Sequence, residues 1–139
     1  KVLMIRNERD PYYYSVGGGV KHNETTEAGV IREVWEETGF KFEIDRLVFI
    51  HENLFSGAPN STLSGLQCHE LAFYYLMKWE LTNKVKDNGF TYGGLPEHLV
   101  WLDIDNLSNS DLVVYPSFFA EGLKNLSNIP KHIVEQENR

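Results

Sequence analysis

The chain alternates between apolar runs and polar, glycine-containing stretches along most of its length. Runs rich in β-branched, aromatic and aliphatic residues predict strands, and the stretches between them predict turns and loops. The predicted strands cover residues 2–6, 12–16, 42–51, 69–81 and 98–103. The turn and the two loops that separate them are expected at residues 7–11, 52–65 and 83–96.

Two segments are predicted to be helices. In the first, Thr25 is a good N-cap, Glu27 suits the positive end of the helix dipole, and Gly39 is placed to end the helix in a left-handed conformation. The helical repeat gathers one apolar face, which consists of Ala28, Ile31, Val34, Trp35 and Thr38. The second helix is expected to begin at Pro116 and to run to about residue 126.

The order of these elements predicts the α/β fold class. With 139 residues, the chain is expected to form one domain over residues 1–139, in which residues 129–139 resemble a C-terminal tail. The chain begins at Lys1, without Met and inside a predicted strand, so we expect a few further residues to precede it.

The opposite face of the first predicted helix is acidic. Glu33, Glu36 and Glu37 fall within an arc of about 100°. Glu33 and Glu37 are i,i+4 neighbours of like charge, which destabilises a helix by about a few tenths of a kcal/mol, whereas Arg32 is spaced to orient Glu36. Such a face is either a solvated surface or a site for a divalent cation, and a lone pair of glutamates would favour the solvated surface.

Three glycines in front of this helix favour the cation. Gly17, Gly18 and Gly19 follow the predicted strand 12–16, and a glycine-rich turn lets backbone groups approach an ion or a phosphate closely. An ordinary tight turn would need only one glycine. The segment is not a P-loop, because no Gly-Lys-Ser/Thr follows, and it is not a dinucleotide fingerprint, because the glycines are contiguous. The turn, Glu24 and the acidic helix together indicate a divalent cation that handles phosphate.

Composition and charge restrict the class of protein. An apolar content of 42% and an aromatic content of 13% are typical of a globular domain. The net charge of −7 argues against a basic surface for a nucleic-acid duplex, and it would repel a polyphosphate unless a metal ion neutralised the site. Cys68 is the only cysteine, and its simplest interpretation is a small buried strand residue. A chain with no internal disulfide and no long apolar run is expected in the cytoplasm and not in a membrane.

The segment from Gly18 to Phe40 resembles the signature of the Nudix hydrolases, G-x5-E-x7-R-E-U-x-E-E-x-G-U, in which U is a bulky apolar residue. All of its fixed positions are matched, by Gly18, Glu24, Arg32, Glu33, Val34, Glu36, Glu37, Gly39 and Phe40. Chance agreement at so many positions is remote. Val16 and Asn23 stand where many members have Pro and Gly, which concerns the shape of the loop and not its ligands.

This resemblance implies an α/β/α sandwich around a mixed β-sheet. It also implies a metal-dependent enzyme that cleaves the diphosphate linkage of a nucleoside diphosphate derivative by attack of water on phosphorus. The cofactor would be Mg²⁺ or Mn²⁺, and carboxylates are the usual protein ligands of such hard cations. Homodimers are common in the family, although the sequence itself shows no interface.

The resemblance also assigns roles to the matched residues. The metal ligands are expected to be Glu36, Glu37, the backbone carbonyl of Gly17 and Glu33, the last of these being alternatively the general base. Arg32 would orient the metal ligands without binding the metal itself, and Glu24 would fix the glycine loop.

Glu97 is the next candidate. Many Nudix enzymes have a glutamate in the loop before a comparable strand, where it is a metal ligand or the base, and the alternative is an exposed loop acid. His69 and Glu70 are weaker candidates, because neighbours in a strand face opposite sides and at most one of them can face the site. His51 and Glu52 are similarly weak.

The residues that contact the substrate are less well determined. Gly18 and Gly19 are expected to approach the phosphates, and Arg6 is a candidate to meet one. Tyr13, with its neighbours Tyr12 and Tyr14, is a candidate to stack on the base or on a sugar-linked group. Arg46 and Phe55 are further candidates, the latter in a lid formed by residues 52–65. Packing or solvation accounts for each of these residues equally well, and nothing after the signature identifies the leaving group.

Three alternatives to a hydrolase remain open. The first is a catalytically silent Nudix-fold module that binds or senses a nucleotide, although such modules usually lack one of the acids that this chain retains. The second is a structural domain whose acids only solvate a helix. The third is a diphosphate isomerase, which would need a cysteine in the site, and no acidic partner connects Cys68 with the signature.

Overall fold

The computed structural model describes residues 1–80, 84–91 and 93–137. The strands are β1 Val2–Arg6, β2 Tyr13–Ser15, β3 Ile44–Ser56, β4 Gln67–Met77, β5 His98–Leu102, β6 Val114–Tyr115 and β7 Lys131–Gln136. The helices are α1 Thr26–Thr38 and α2 Phe119–Gly122, with a short 3₁₀ turn at Ile104–Asn106. The chain divides into two compact units, Lys1–Glu43 with Lys78–Leu126 and Ile44–Met77 with Ser127–Arg139.

The first unit contains a mixed four-stranded sheet in the order β5-β1-β2-β6. β1 is antiparallel to both β2 and β5, and β2 is parallel to β6. β1 is an inner strand, and its Met4 and Ile5 are completely buried. The other buried apolar residues of this unit are Val34, Phe42, Leu107, Val114 and Phe119.

Helix α1 has the predicted ends. The side chain of Thr25 accepts a hydrogen bond from the backbone amide of Ala28, and Gly39 has a φ of 70° and donates its amide to the carbonyl of Trp35. Thr38 is completely buried, and its hydroxyl donates to the carbonyl of Val34 at 2.6 Å. The predicted apolar face is wrong at Ala28, which is exposed, and at Trp35, which is 47% exposed and lies against the ammonium group of Lys41. Because this cation–π contact uses one face of the indole, Trp35 is stabilised without burial.

The second unit contains a mixed three-stranded sheet in the order β4-β3-β7. β3 pairs antiparallel with β4 and parallel with β7. The predicted loop 52–65 is wrong at its start, because residues 52–56 belong to β3. The polar residues there satisfy their backbone groups by pairing with both neighbouring strands, so the polarity of their side chains does not end the strand. The expected tail 129–139 instead contains β7, which pairs with β3.

Three other predicted boundaries differ from the structure. The predicted helix from Pro116 to residue 126 is limited to Phe119–Gly122, and Gly122, a weak helix former, is its last residue. The predicted strand 69–81 ends at Met77, and its last residue, Leu81, lies outside the described residues, as does the start of the predicted loop at Asn83. No helix in the described part of the chain is long and apolar enough to cross a membrane.

Candidate functional site

The side chain of Arg32 connects the glycine loop with helix α1. Its Nε and Nη2 atoms donate to the two carboxylate oxygens of Glu24 at 2.7 and 2.9 Å, and Nη2 also donates to the carbonyl of Gly19 at 3.0 Å. Glu24 accepts a further hydrogen bond from the backbone amide of Lys21 at 2.9 Å. The hydrogen bonds from Arg32, followed by that from Lys21, lower the pKa of Glu24 to about 2. The loop is therefore tied to the helix by a bidentate ion pair.

Arg32 also contacts two of the three glutamates of the acidic face. Its Nη1 atom lies 2.5 Å from Oε1 of Glu33 and 3.3 Å from Oε2 of Glu36. Glu33 lies directly against Gly18, where a Cβ atom would be only 2.3 Å from Oε2 of Glu33. A side chain at position 18 would therefore displace the carboxylate of Glu33 from its place beside the loop backbone.

Glu37, the third glutamate, lies in a different environment. Its Oε2 atom accepts a hydrogen bond from the backbone amide of Gly17 at 2.9 Å, and Gly17 has a φ of 148°, which favours glycine. Burial raises the pKa of Glu37 to about 8, and the charges of Glu97, Glu33 and Glu36 add to the increase, against the opposing effect of the Gly17 amide. The charged form of Glu37 is therefore disfavoured, chiefly by burial and further by repulsion from the neighbouring carboxylates.

Glu97 has a buried carboxylate that, like the side chain of Glu37, lies next to Gly89. It is 8% exposed, and its Oε2 atom accepts a short hydrogen bond from the hydroxyl of Tyr14. A Cβ atom at Gly89 would lie 3.2 Å from Oε1 of Glu97 and 3.3 Å from Cγ of Glu37, so both side chains pack against this glycine. Burial, followed by the hydrogen bond to Glu97, raises the pKa of Tyr14, so its hydroxyl stays protonated and donates.

The segment 84–91 brings Gly89 to this position by binding the end of α1. The amide of Lys86 donates to the carbonyl of Thr38 at 2.8 Å, and the amide of Asn88 donates to that of Glu37 at 3.2 Å. The side-chain amide of Asn88 donates to the carbonyl of Glu36 at 2.8 Å. The last carbonyls of a helix have no partner within it, so they are a natural place for a loop to dock.

These carboxylates agree in chemistry with a hard divalent cation. Charged oxygens are the ligands that Mg²⁺ and Mn²⁺ prefer. Burial, followed by repulsion from Glu97, Glu33 and Glu36, raises the pKa of Glu37, and a nearby cation would favour its charged form. Among the described residues, however, no three His, Cys, Asp or Glu side chains are already gathered to hold a metal ion. Glu36 has a side chain that is 47% exposed, so it is free to rotate toward its neighbours.

Among the described residues, no contact joins Tyr13 or Arg6 to these carboxylates, whereas Gly17 contacts Glu37. Tyr13 neighbours Tyr14 in β2, so its side chain lies on the opposite face of the strand from the hydroxyl that reaches Glu97. Arg6 is exposed, and its charge acts on Asp87. The carbonyl of Gly17 remains a predicted ligand, whereas its amide has the observed contact with Glu37.

Three of the weaker candidates of the second unit, His51, Glu52 and His69, pair with residues of their own sheet. Glu52 accepts from His69 at 2.8 Å and contacts His132 at 3.1 Å, and His51 lies 2.9 Å from Glu135. Glu70 and Cys68 lie in β4, and Phe55 lies in β3 and not in a loop. Arg46 lies beside Asp45 and 3.3 Å from the carbonyl of Ser127.

Sequence reasoning missed four residues that shape the site, which are Asn7, Gly29, Asn88 and Gly89. Gly29 did carry a signal, because a glycine inside a helix is unfavourable without a packing reason. A Cβ atom at this position would lie 3.3 Å from Oε2 of Glu24. Asn7, Asn88 and Gly89 carried no such signal, since their partners lie in other elements.

Most of the chain matches a known protein family. A family model described as the NUDIX domain matches residues 1–116, which include the glycine loop, α1 and Glu97. The chain is also similar to a "MutT-like protein" of Streptomyces ambofaciens, with 40% identity over 57 residues. That alignment covers 41% of this chain and 37% of the relative, so the chain spans little more than a third of that protein's length.

Proposed function

Because the chain belongs to the Nudix family, whose members in general hydrolyse pyrophosphate bonds, we propose that it is a metal-dependent pyrophosphohydrolase. Its substrate would be a nucleoside diphosphate derivative, and water would attack one phosphorus atom of the diphosphate. The observation that carries the proposal is the Arg32 bridge, which holds the glycine loop against an acidic helix face where Glu37 and Glu97 converge.

Glu36 and Glu37 would hold the cation, with Glu33 and Glu97 as further ligands or as the general base. When bound, Mg²⁺ or Mn²⁺ neutralises the diphosphate charge and makes the bound water more acidic. The chain's own contribution is to position the groups around the phosphates. Arg32 and Glu24 fix the glycine loop, and we propose that the backbone of Gly18 and Gly19 and the carbonyl of Gly17 would there meet the phosphates and the cation.

We assign recognition of the rest of the substrate to Arg6, which is exposed, and to Tyr13, which is half-buried. Arg6 would contact a phosphate and Tyr13 a base or a sugar, each from the first unit. The net charge of −7 disfavours binding of a polyphosphate by general attraction, so affinity would depend on the cation.

The test is product release from a panel of ADP-ribose, nucleotide sugars, dinucleoside polyphosphates and nucleoside triphosphates, oxidised ones included. Each reaction is run with Mg²⁺, with Mn²⁺ and with a chelator. Glu36→Gln should reduce cleavage by at least about a hundredfold, because it removes a charged ligand. Glu121→Gln is the matched control, since Glu121 is an exposed glutamate of α2 that pairs with Lys124. Binding of nucleotides without cleavage by the wild type would instead indicate a silent module.

A further inference from the structure

We propose that Tyr14 is a positioning residue that fixes the carboxylate of Glu97 for the proposed reaction. The inference rests on the proposed function for its catalytic consequence, but the contact itself does not. The hydroxyl of Tyr14 donates to Oε2 of Glu97 across 83 positions of sequence, between two residues of the same unit. Nothing in the family signature includes either residue.

Rigid elements fix the distance between Tyr14 and Glu97. Tyr14 is paired with Ile5 of β1, and β1 pairs on its other edge with β5. Arg6 of β1 is opposite His98, the residue that follows Glu97. A single strand, β1, therefore separates the two partners, and the amide of Glu97 is held by the carbonyl of Gly89 at 3.0 Å. A site supported by strands is more rigid than one supported by loops alone.

Asn7 donates a hydrogen bond to the hydroxyl oxygen of Tyr14. It is 4% exposed, and its Nδ2 atom donates to the oxygen of Tyr14 at 3.2 Å and to Oδ2 of Asp10 at 3.0 Å. Its Oδ1 atom accepts the backbone amides of Arg9 and Asp10 at 3.0 and 2.9 Å. The oxygen of Tyr14 accepts from Asn7, so its own proton is directed to Glu97.

The two carboxylate oxygens of Glu97 therefore have different surroundings. Oε2 is occupied by Tyr14, whereas Oε1 lies toward Gly89, beside Glu37. A carboxylate held through one oxygen cannot rotate freely about its terminal bond, so Oε1 stays directed at the acidic face. Tyr14 thus acts through Glu97 and does not itself touch the substrate.

The test is a double-mutant cycle with Tyr14→Phe and Glu97→Gln, read on kcat, on KM and on the dissociation constant of Mn²⁺ without substrate. Tyr14→Phe should lower kcat about tenfold or more, with KM changed less than about threefold, and it should weaken Mn²⁺ binding about tenfold. In the Glu97→Gln background, the same substitution should change each quantity less than about twofold. Urea unfolding of the metal-free variants verifies that they are folded.

Tyr115→Phe is the matched control, because Tyr115 lies beside Tyr14 in the adjacent parallel strand and has no contact with Glu97 among those described. It should leave kcat and Mn²⁺ affinity within about twofold of the wild type. Equal losses from Tyr14→Phe in both backgrounds, or losses no larger than those of the control, would overturn the inference. If the wild type cleaves no diphosphate, the proposed function fails, and the Mn²⁺ cycle alone decides whether Tyr14 positions Glu97.

Discussion

Arg32 is the residue on which the arrangement of the candidate site depends most directly. It binds Glu24 through two hydrogen bonds, the loop through Gly19, and the acidic face through Glu33 and Glu36. A guanidinium group makes these contacts together because its donors lie in a fixed plane, whereas a lysine ammonium is a single point charge.

Arg32→Lys should therefore reduce activity although the charge is retained. The loss of the bidentate contact with Glu24 would release the glycine loop, and we expect kcat/KM to fall about ten- to a hundredfold. Arg9→Lys is the control, because Arg9 pairs with Asp10 at the surface and exposed pairs contribute little. Equal kinetics for the two variants, measured on the best substrate of the panel, would contradict this role.

The ion pair of Glu24 also predicts a dependence of stability on acid. The folded pKa of about 2 lies below the ordinary value of about 4.3, so the pair stabilises the protein above about pH 4.5. This contribution is lost as the pH falls from about 4.5 to about 2. Free energies of unfolding measured between pH 6 and pH 3 should fall less steeply in Glu24→Gln than in the wild type, and parallel curves would contradict the assignment.

At the scale of elements, the segment 84–91 determines where Glu97 meets Glu37. The segment docks on the end of α1 through Lys86 and Asn88, and Asp87 connects it with β5 by accepting the amide of Leu99 at 2.9 Å. Gly89 then lies against the carboxylate of Glu97 and the Cγ atom of Glu37, where there is little room for a side chain.

Gly89→Ala should displace Glu97 and Glu37 with a small effect on the fold. The added Cβ would be 3.2 Å from Oε1 of Glu97, which requires a shift of a few tenths of an ångström. Because catalytic geometry is sensitive to such shifts, we expect kcat to fall about tenfold. Gly93→Ala is the control, since its Cβ would be in ordinary contact with Thr91 at 3.9 Å. A Gly89→Ala enzyme as active as Gly93→Ala would contradict this role.

The sequence predicted α1 with both of its ends because caps, periodicity and the terminal glycine are local signals. β3 was predicted too short, because residues 52–56, three of them polar, are supported by pairing with β4 and, as far as Leu54, with β7, which no local pattern shows. The same limit applies to the site. The signature identified the acids of α1, whereas the contact of Tyr14 with Glu97 depends on strand order. Glu97 was identified through the resemblance and not through its own neighbours.

At the scale of the whole molecule, an acidic chain with crowded carboxylates should be stabilised by the divalent cation that we propose it binds. The net charge is −7, and binding to the folded state alone increases stability in proportion to the logarithm of ligand concentration. At a hundredfold excess over the dissociation constant, the gain is about 2.7 kcal/mol, which corresponds to an increase in Tm of several degrees.

Thermal unfolding with Mg²⁺ and with NaCl at equal ionic strength measures this gain. The wild type should be stabilised by Mg²⁺ well beyond the effect of NaCl, and Glu37→Gln should lose most of the difference. A Tm that does not respond to Mg²⁺, together with a small stabilisation by Glu36→Gln through relief of repulsion, would indicate a structural domain with a solvated acidic face.

The measurement that tests the central claim most directly is the rate of diphosphate cleavage as a function of Mg²⁺ concentration, in the wild type and in Glu37→Gln. The substrate is the one that the panel shows to be cleaved fastest. We predict a saturable increase with Mg²⁺ in the wild type and a loss of at least about a hundredfold in the variant. Cleavage that is independent of the metal, cleavage that is equal in the two proteins, or no cleavage of any panel member would contradict the account.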